Sequence, residues 1–466
     1  MRVAVLHYHL RRGGVTRVIE TAYEALREHD VELLVLAGEA PPELDLPAEA
    51  FAVIPGLGYR EDFNLEAAGY LKQQVEAAAQ RHWGAPPDIW HVHNHSLAKN
   101  LEVPWMVSRW AEEGRRLLLQ PHDFAEDGRP ANYLKLQELT AELYPVGPNV
   151  LYGLLNSRDR ELLNRAGVPT DQTVPLPNAV RGFATGHDPI NPQEFGAEKL
   201  ILYPSRSIRR KNLGEVLLHA AVADEGTRLG CTLAPENPTA LPIYERWTAV
   251  ADELGLPVEF NLGPRSGASL ESMLAGSEAI ITTSVAEGFG LAFLEPWLAN
   301  RPLVGRNLPD ITGDFSELGV DLSALYETLP VPVEWVGEKE LQDTYDREVT
   351  AYFEAYQRPC DDLRFDRDTI DFGKLSETLQ ENVISRVLND SDARERVASL
   401  QLSSPETIAA NRRAVAENFG VGDYGQRLAG YYQRLLEAPM EKVDWLDPNR
   451  LLDEFLDPAR FNLLRT

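Results

Sequence analysis

Cysteine is nearly missing: Cys231 and Cys360 are the only two in 466 residues. Two thiols build neither a disulfide framework nor a structural zinc site, and their scarcity fits a reducing compartment. Long apolar runs are missing as well. None approaches the ~18 residues that a membrane-spanning helix requires, and the apolar opening around Met1–His9 is too short for a secretory leader. Positive charge is in short supply: 45 Lys and Arg against 72 Asp and Glu leave −27 with the ten His neutral. A field of that sign repels nucleic acid and anionic lipid surfaces. These absences predict a cytoplasmic protein with no nucleic-acid partner and no integral membrane association; homo-oligomerisation stays open.

What is present is ordinary globular material, with 44% hydrophobic and 25% charged residues. The length exceeds what one hydrophobic core normally serves, so two domains are expected. Short apolar runs alternate with helix-periodic stretches, the pattern of an α/β chain with parallel sheets. Strands are expected at Val3–Leu6, Glu32–Leu36, Ile89–Val92, Leu117–Gln120 and Val150–Leu155. A second series runs through Leu200–Pro204, Gly230–Leu233, Val258–Leu262 and Ala279–Thr283. The aperiodic, Gly/Pro-rich stretch between the two series is read as a linker. The resulting division is an N-terminal domain at 1–180, a linker at 181–199 and a second domain at 200–420 carrying a charged helical insertion near 338–371. Helices at 421–466 are expected to pack back on the first domain. The aromatics of that tail, Tyr424, Tyr431 and Tyr432 among them, recur at helical spacing and read as core.

Two motifs carry chemistry. Ser284-Val-Ala-Glu287-Gly-Phe-Gly-Leu-Ala-Phe-Leu-Glu295 follows the Ala279–Thr283 strand, with a helix expected over Phe289–Ala299. Such a strand–Gly turn–helix unit aims backbone N–H groups at an anion. The two glutamates, eight positions apart, suit two points of one long polar ligand; by itself the pattern also fits a helix with ordinary surface carboxylates. Tyr203-Pro-Ser-Arg206-Ser-Ile-Arg-Arg210-Lys211-Asn212 also leaves a strand end. Four cations in six positions of an acidic chain favour phosphate over a solvated basic loop.

Together the motifs resemble the retaining glycosyltransferases of the GT-B fold, in particular family 4: Arg206 and Lys211 five positions apart, then Glu287-Gly-Phe-Gly-Leu-Ala-Phe-Leu-Glu295. The resemblance implies an α/β GT-B architecture, two Rossmann-like domains facing a central cleft, with a helical C-terminal extension. It implies a hexosyltransferase that uses a nucleotide-sugar co-substrate, with UDP-hexose favoured, and neither cofactor nor metal. Arg206 and Lys211 would bind the diphosphate, Glu287 the sugar hydroxyls and Glu295 the ribose. The backbone of Gly288, Phe289, Gly290 and Leu291 would line sugar and phosphate. Gly13 and Gly14 would form the glycine-rich loop of the first domain, and His122 would lie beside the donor sugar in a catalytic role.

The acceptor is expected to be small and polar or a saccharide, since no basic amphipathic helix points to a lipid. His93, His95, Lys99 and Asp123 are its candidate contacts. His91, His93 and His95 alternate as on one strand face, but no further ligands accompany them to make a metal site. The segment Arg306–Phe315 departs from the family, which often carries a Gly-Gly pair there. Two other readings stay open: a GT-B epimerase or phosphorylase, and a catalytically silent nucleotide-sugar-binding subunit.

Overall fold

The computed structural model describes residues 1–465 apart from 42, 140, 184–186, 361–367 and 398. Part of the expected linker and part of the charged segment near 338–371 therefore lie outside the described residues. The chain forms two compact units. The first comprises Met1–Ala179, Ala355–Arg358 and Phe419–Asp457; the second Val180–Glu354, Pro359–Asn418 and Pro458–Thr466.

The first unit is built on a seven-stranded parallel sheet. Its order is Phe51–Val53, Glu32–Ala37, Arg2–His7, Ile89–His93, Leu117–Gln120, Val150–Leu154, Thr173–Pro175. Val3, Ala4, Val5 and Leu6 are all buried, because helices cover both sheet faces and leave no polar side to the strand. Helix Gly14–Ala25 turns Val18, Ile19 and Ala22 inward. Helix Val421–Glu437 lays Tyr424, Leu428, Tyr432 and Leu435 into the same core. Gly425 permits this approach: a Cβ there would sit 2.6 Å from the carbonyl oxygen of Ala25, and only glycine offers the backbone that clearance.

The second unit has a five-stranded parallel sheet in the order Val258–Glu259, Thr227–Leu233, Lys199–Arg206, Ala279–Thr282, Leu303–Gly305. Both sheets are doubly wound α/β sheets whose strand order reverses at the first strand. The second unit adds helix Glu338–Ala355 and a two-stranded antiparallel pair, Pro330–Pro332 with Thr369–Asp371. Residues 458–466 belong to this unit too, so the C-terminal tail is divided between the two units. Among the described residues no helix is long and apolar enough to cross a membrane.

One element departs from expectation. Phe289–Ala299 is not a helix: Leu291–Phe293 is a 3-10 turn and the α-helix is only Glu295–Leu298. Gly290, at φ +94°, breaks the helical path, and Pro296 restarts it in the first turn, where a missing N–H costs nothing.

Candidate functional site

In an open α/β sheet the ligand crevice lies beyond the strand C-termini where the order reverses. In the second unit that point falls between Lys199–Arg206 and Ala279–Thr282, the neighbouring strands that precede the two motifs. The basic loop and the glutamate loop are joined there. The Tyr203 hydroxyl lies 2.9 Å from Ser284 Oγ and donates to the Lys211 carbonyl at 3.2 Å. Thr283 Oγ1 donates to the carbonyls of Lys211 and Asn212, and the Val285 N–H donates to that of Arg210 at 2.9 Å. These bonds fix the loops to each other independently of any charge.

The charges then converge. Lys211 donates to Glu287 Oε1, and Arg210 Nη1 donates to Glu287 Oε2 at 2.8 Å and to the Ala286 carbonyl at 2.6 Å. Burial raises the Glu287 carboxyl, but the Lys211 and Arg210 charges overcome it and hold it at about 2. The same burial pulls the Lys211 ammonium down, opposed by Glu287. Glu295 opens its short helix near enough to Lys211 to favour the ammonium.

Arg206 stands apart, half-exposed and paired with Glu236. Phe289 is buried against Phe315, ring centroids 5.5 Å apart, so only its backbone is available to a ligand. Gly288 is exposed and Leu291 partly so. Beyond the Val258–Glu259 strand, Asn261 has φ +54° and accepts from the Ala234 N–H, while Arg265 pairs with Glu259 at 2.8 Å.

A cavity of about 890 Å³ lies elsewhere in this unit, bordered by Arg209, Lys339, Asp343, Arg347 and Glu377. None of the four motif residues lines it. Its cations are already paired, Arg209 with Glu377, Lys339 with Asp343 and Arg347 with Glu348, so it presents no field of one sign to a ligand.

In the first unit the corresponding sheet edge is rich in histidine. His93 Nδ1 and His122 Nε2 are 2.8 Å apart, and His91 bridges the Tyr432 hydroxyl at 2.8 Å and Gln120 at 3.0 Å. Burial lowers all of these rings, His122 to about 3 and His91 to about 4, so they are neutral near pH 7. His95 does not share their face. Asn94, at φ +53°, turns the chain out of the strand, and His95 packs on Tyr144 and meets the Leu143 carbonyl. Among the described residues no group of three His, Cys, Asp or Glu is placed to hold a metal. Gly13 and Gly14 are exposed at the start of their helix. Asp123 pairs with Arg129 at 2.6 Å. Lys99 lies 5.8 Å from the Tyr59 ring centroid.

The structure thus brings together Lys211, Glu287 and Glu295, sets His93 against His122, and buries His95 apart from them against Tyr144. Two pairings lie outside the sequence reading, which took Arg210 only as one of four cations suited to phosphate. Arg210 is the second cation on Glu287. Arg306, in the segment that departs from the family, is a buried cation held by Glu215 at 2.6 Å and Asp371 at 2.8 Å. Glu215 accepts in turn from Asn212 at 2.7 Å, so this pair braces the end of the basic loop. Nothing local in the sequence joins positions 65 and 91 apart.

No family model matches the chain. Among curated proteins, the mannosylglucosyl-3-phosphoglycerate synthase of Petrotoga mobilis is 26% identical over 408 residues, covering 81% of this chain and 79% of that protein. Among solved structures, the Anabaena HepE complex with UDP-glucose aligns with a TM-score of 0.51 at 14% identity, covering 93% of this chain and 99% of that one. Sucrose-phosphate synthase of Thermosynechococcus elongatus gives 0.53 at 14% identity, with 93% and 98% covered. A trehalose-6-phosphate synthase gives 0.53 at 13%, with 93% and 99% covered.

Proposed function

We propose that this chain, which has the GT-B glycosyltransferase fold, transfers a hexose from a nucleotide-sugar to a hydroxyl of a small polar acceptor, with retention and without a metal. One observation carries the reading: at the reversal point of the second sheet, Lys211 and Arg210 hold a buried Glu287 ionised, beside Glu295.

The geometry suits an exchange of partners. A donor diphosphate draws Lys211 and Arg206 to its oxygens, and Glu287, relieved of part of its ion pairing, accepts from the sugar hydroxyls. As the glycosidic bond breaks, negative charge grows on the diphosphate, and fixed cations stabilise that state more than the ground state. Two cationic side chains can take the part a divalent ion plays elsewhere. Glu287 is committed to hydroxyls rather than to the anomeric carbon, so the reading favours a front-face displacement over a covalent intermediate. In that displacement the acceptor oxygen bonds to the anomeric carbon, the leaving phosphate oxygen departs from it, and that oxygen takes the acceptor proton. UDP-hexose is the favoured donor, in line with the HepE complex. The name of the Petrotoga relative adds an acceptor bearing a phosphate or a carboxylate. The protein is assigned to the cytoplasm on its low cysteine content.

The test is a thermal-shift panel of nucleotide-sugars, followed by NMR of the product with and without EDTA. The expected result is a stabilising donor, a retained anomer and unchanged turnover in EDTA. An inverted linkage overturns the front-face route, and near-normal turnover in Glu287→Ala overturns the site.

A further inference from the structure

We infer that the first unit carries an oxyanion subsite centred on Lys99, which takes a phosphate or carboxylate of the acceptor. The inference deepens the transferase reading and rests on it for the word acceptor, but its geometry is independent of the donor residues.

Three loops meet at this end of the sheet. His9 follows the Arg2–His7 strand, Tyr59 follows Phe51–Val53, and Lys99 follows Ile89–His93. His9 Nε2 and the Tyr59 hydroxyl are 3.1 Å apart, and the Lys99 ammonium lies over the same ring. Tyr59 is 51% exposed, so part of its side chain is open to solvent. An ammonium, a phenol and an imidazole at one place form a donor set for an anion rather than for a neutral hydroxyl cluster.

Two further observations single the place out. The first is charge. Three carboxylates around these loops are each taken by an arginine: Glu39 by Arg11, Glu102 by Arg60 and Asp123 by Arg129. Among the described residues Lys99 forms no ion pair, so none of these three carboxylates neutralises its ammonium. The second is backbone strain. Ala98 has φ +56°, a left-handed conformation that a side chain disfavours. It persists because neighbours impose it. Buried Asn100 donates to the carbonyls of Gly56 at 2.8 Å and Gly58 at 2.7 Å, and the Arg60 N–H donates to the Lys99 carbonyl at 2.9 Å. Strain held by such a clamp points to a residue whose placement matters, and here the residue placed is Lys99.

The experiment measures binding of three probes to the full chain by calorimetry: glycerol 3-phosphate, glycerate and 3-phosphoglycerate. At least one is expected to bind, more weakly as salt rises. Lys99→Ala should weaken it by about tenfold or more, and Lys99→Arg should stay within about threefold of the parent. Binding of glycerol 3-phosphate identifies phosphate as the group recognised, and binding of glycerate identifies carboxylate. Failure of all three to bind, or equal binding by Lys99→Ala, overturns the subsite. With a productive acceptor, Lys99→Ala should raise its KM by about the same factor and leave the donor KM unchanged. Anion binding without nucleotide-sugar binding would leave the subsite standing and remove the transferase reading. The converse would do the opposite.

Discussion

Glu287 shows how a single position serves both stability and chemistry. Its carboxyl is held at about 2, below its ordinary 4.5. Its contribution to folding is therefore complete above about pH 4.5 and lost as pH falls towards 2. Glu287→Gln removes that charge and leaves Lys211, only 8% exposed, with a weaker partner. Breaking one side of a buried pair costs about 3–5 kcal/mol. Urea unfolding at pH 7 should show a loss of that order, reduced by whatever Arg210 and solvent recover. Adding Lys211→Met should cost less than the sum of the two single changes. Additive losses would mean that the pair is not coupled. That Lys211 and Glu287 are candidate ligand-binding residues was legible from motif and resemblance; their pairing with each other was not, because 76 residues separate them.

At the element scale, the Ser284–Glu295 stretch is where a helical expectation fails for a local reason. Gly290 sits at φ +94°, and a Cβ there would meet Phe293 at 3.0 Å and Ile311 at 3.1 Å. Gly290→Ala should therefore destabilise by about 1–3 kcal/mol, read as a shift of the urea midpoint. It should also weaken nucleotide-sugar binding, because the loop carrying Glu287 ends at this residue. A variant with parental stability and binding would show that the turn needs no glycine. The helix Val421–Glu437 behaves oppositely. Its spacing of Tyr424, Leu428, Tyr432 and Leu435 reads directly as a buried face, and it is one. A regular helix is set by periodicity, whereas a loop is set by the neighbours it must avoid.

For the whole molecule, buried titratable groups shape the pH profile from two sides. His7, His91 and His122 are lowered by burial to about 3, 4 and 3. Their contribution is complete above the ordinary 6.5 and lost as pH falls below it, because the unfolded chain takes up protons there first. Glu126 runs the other way. Burial pushes it up to about 7, against the Tyr144 hydroxyl that donates to both its oxygens at 3.0 Å. Its folded value exceeds the unfolded one, so its contribution is complete below about 4.5 and lost as pH rises through 7. Stability should thus peak on the acid side of neutrality and fall in both directions. Glu126→Gln imitates the protonated form and should raise Tm at pH 8 by about 2–4 °C or more, with a much smaller gain at pH 5. An equal effect at both pH values would rule out ionisation as the cause.

The sequence by itself determined the alternation of strands and helices, and hence a doubly wound α/β fold. It also identified the residues around Arg206, Lys211, Glu287 and Glu295, because strand ends, glycine turns and clustered charge are local signals. Tertiary structure decided which charges meet. The strand order, not the chain order, sets Arg210 and Lys211 on Glu287 and carries Glu215 to Arg306. It also separates His95 from His93 at Asn94, although the sequence alternates them. Lys99 owes its place to a clamp in which Asn100 reaches loop carbonyls 42 and 44 residues away in the chain. Periodicity repeats within a few residues and can be read along a line; pairing between strand ends depends on the order in which the sheet is assembled.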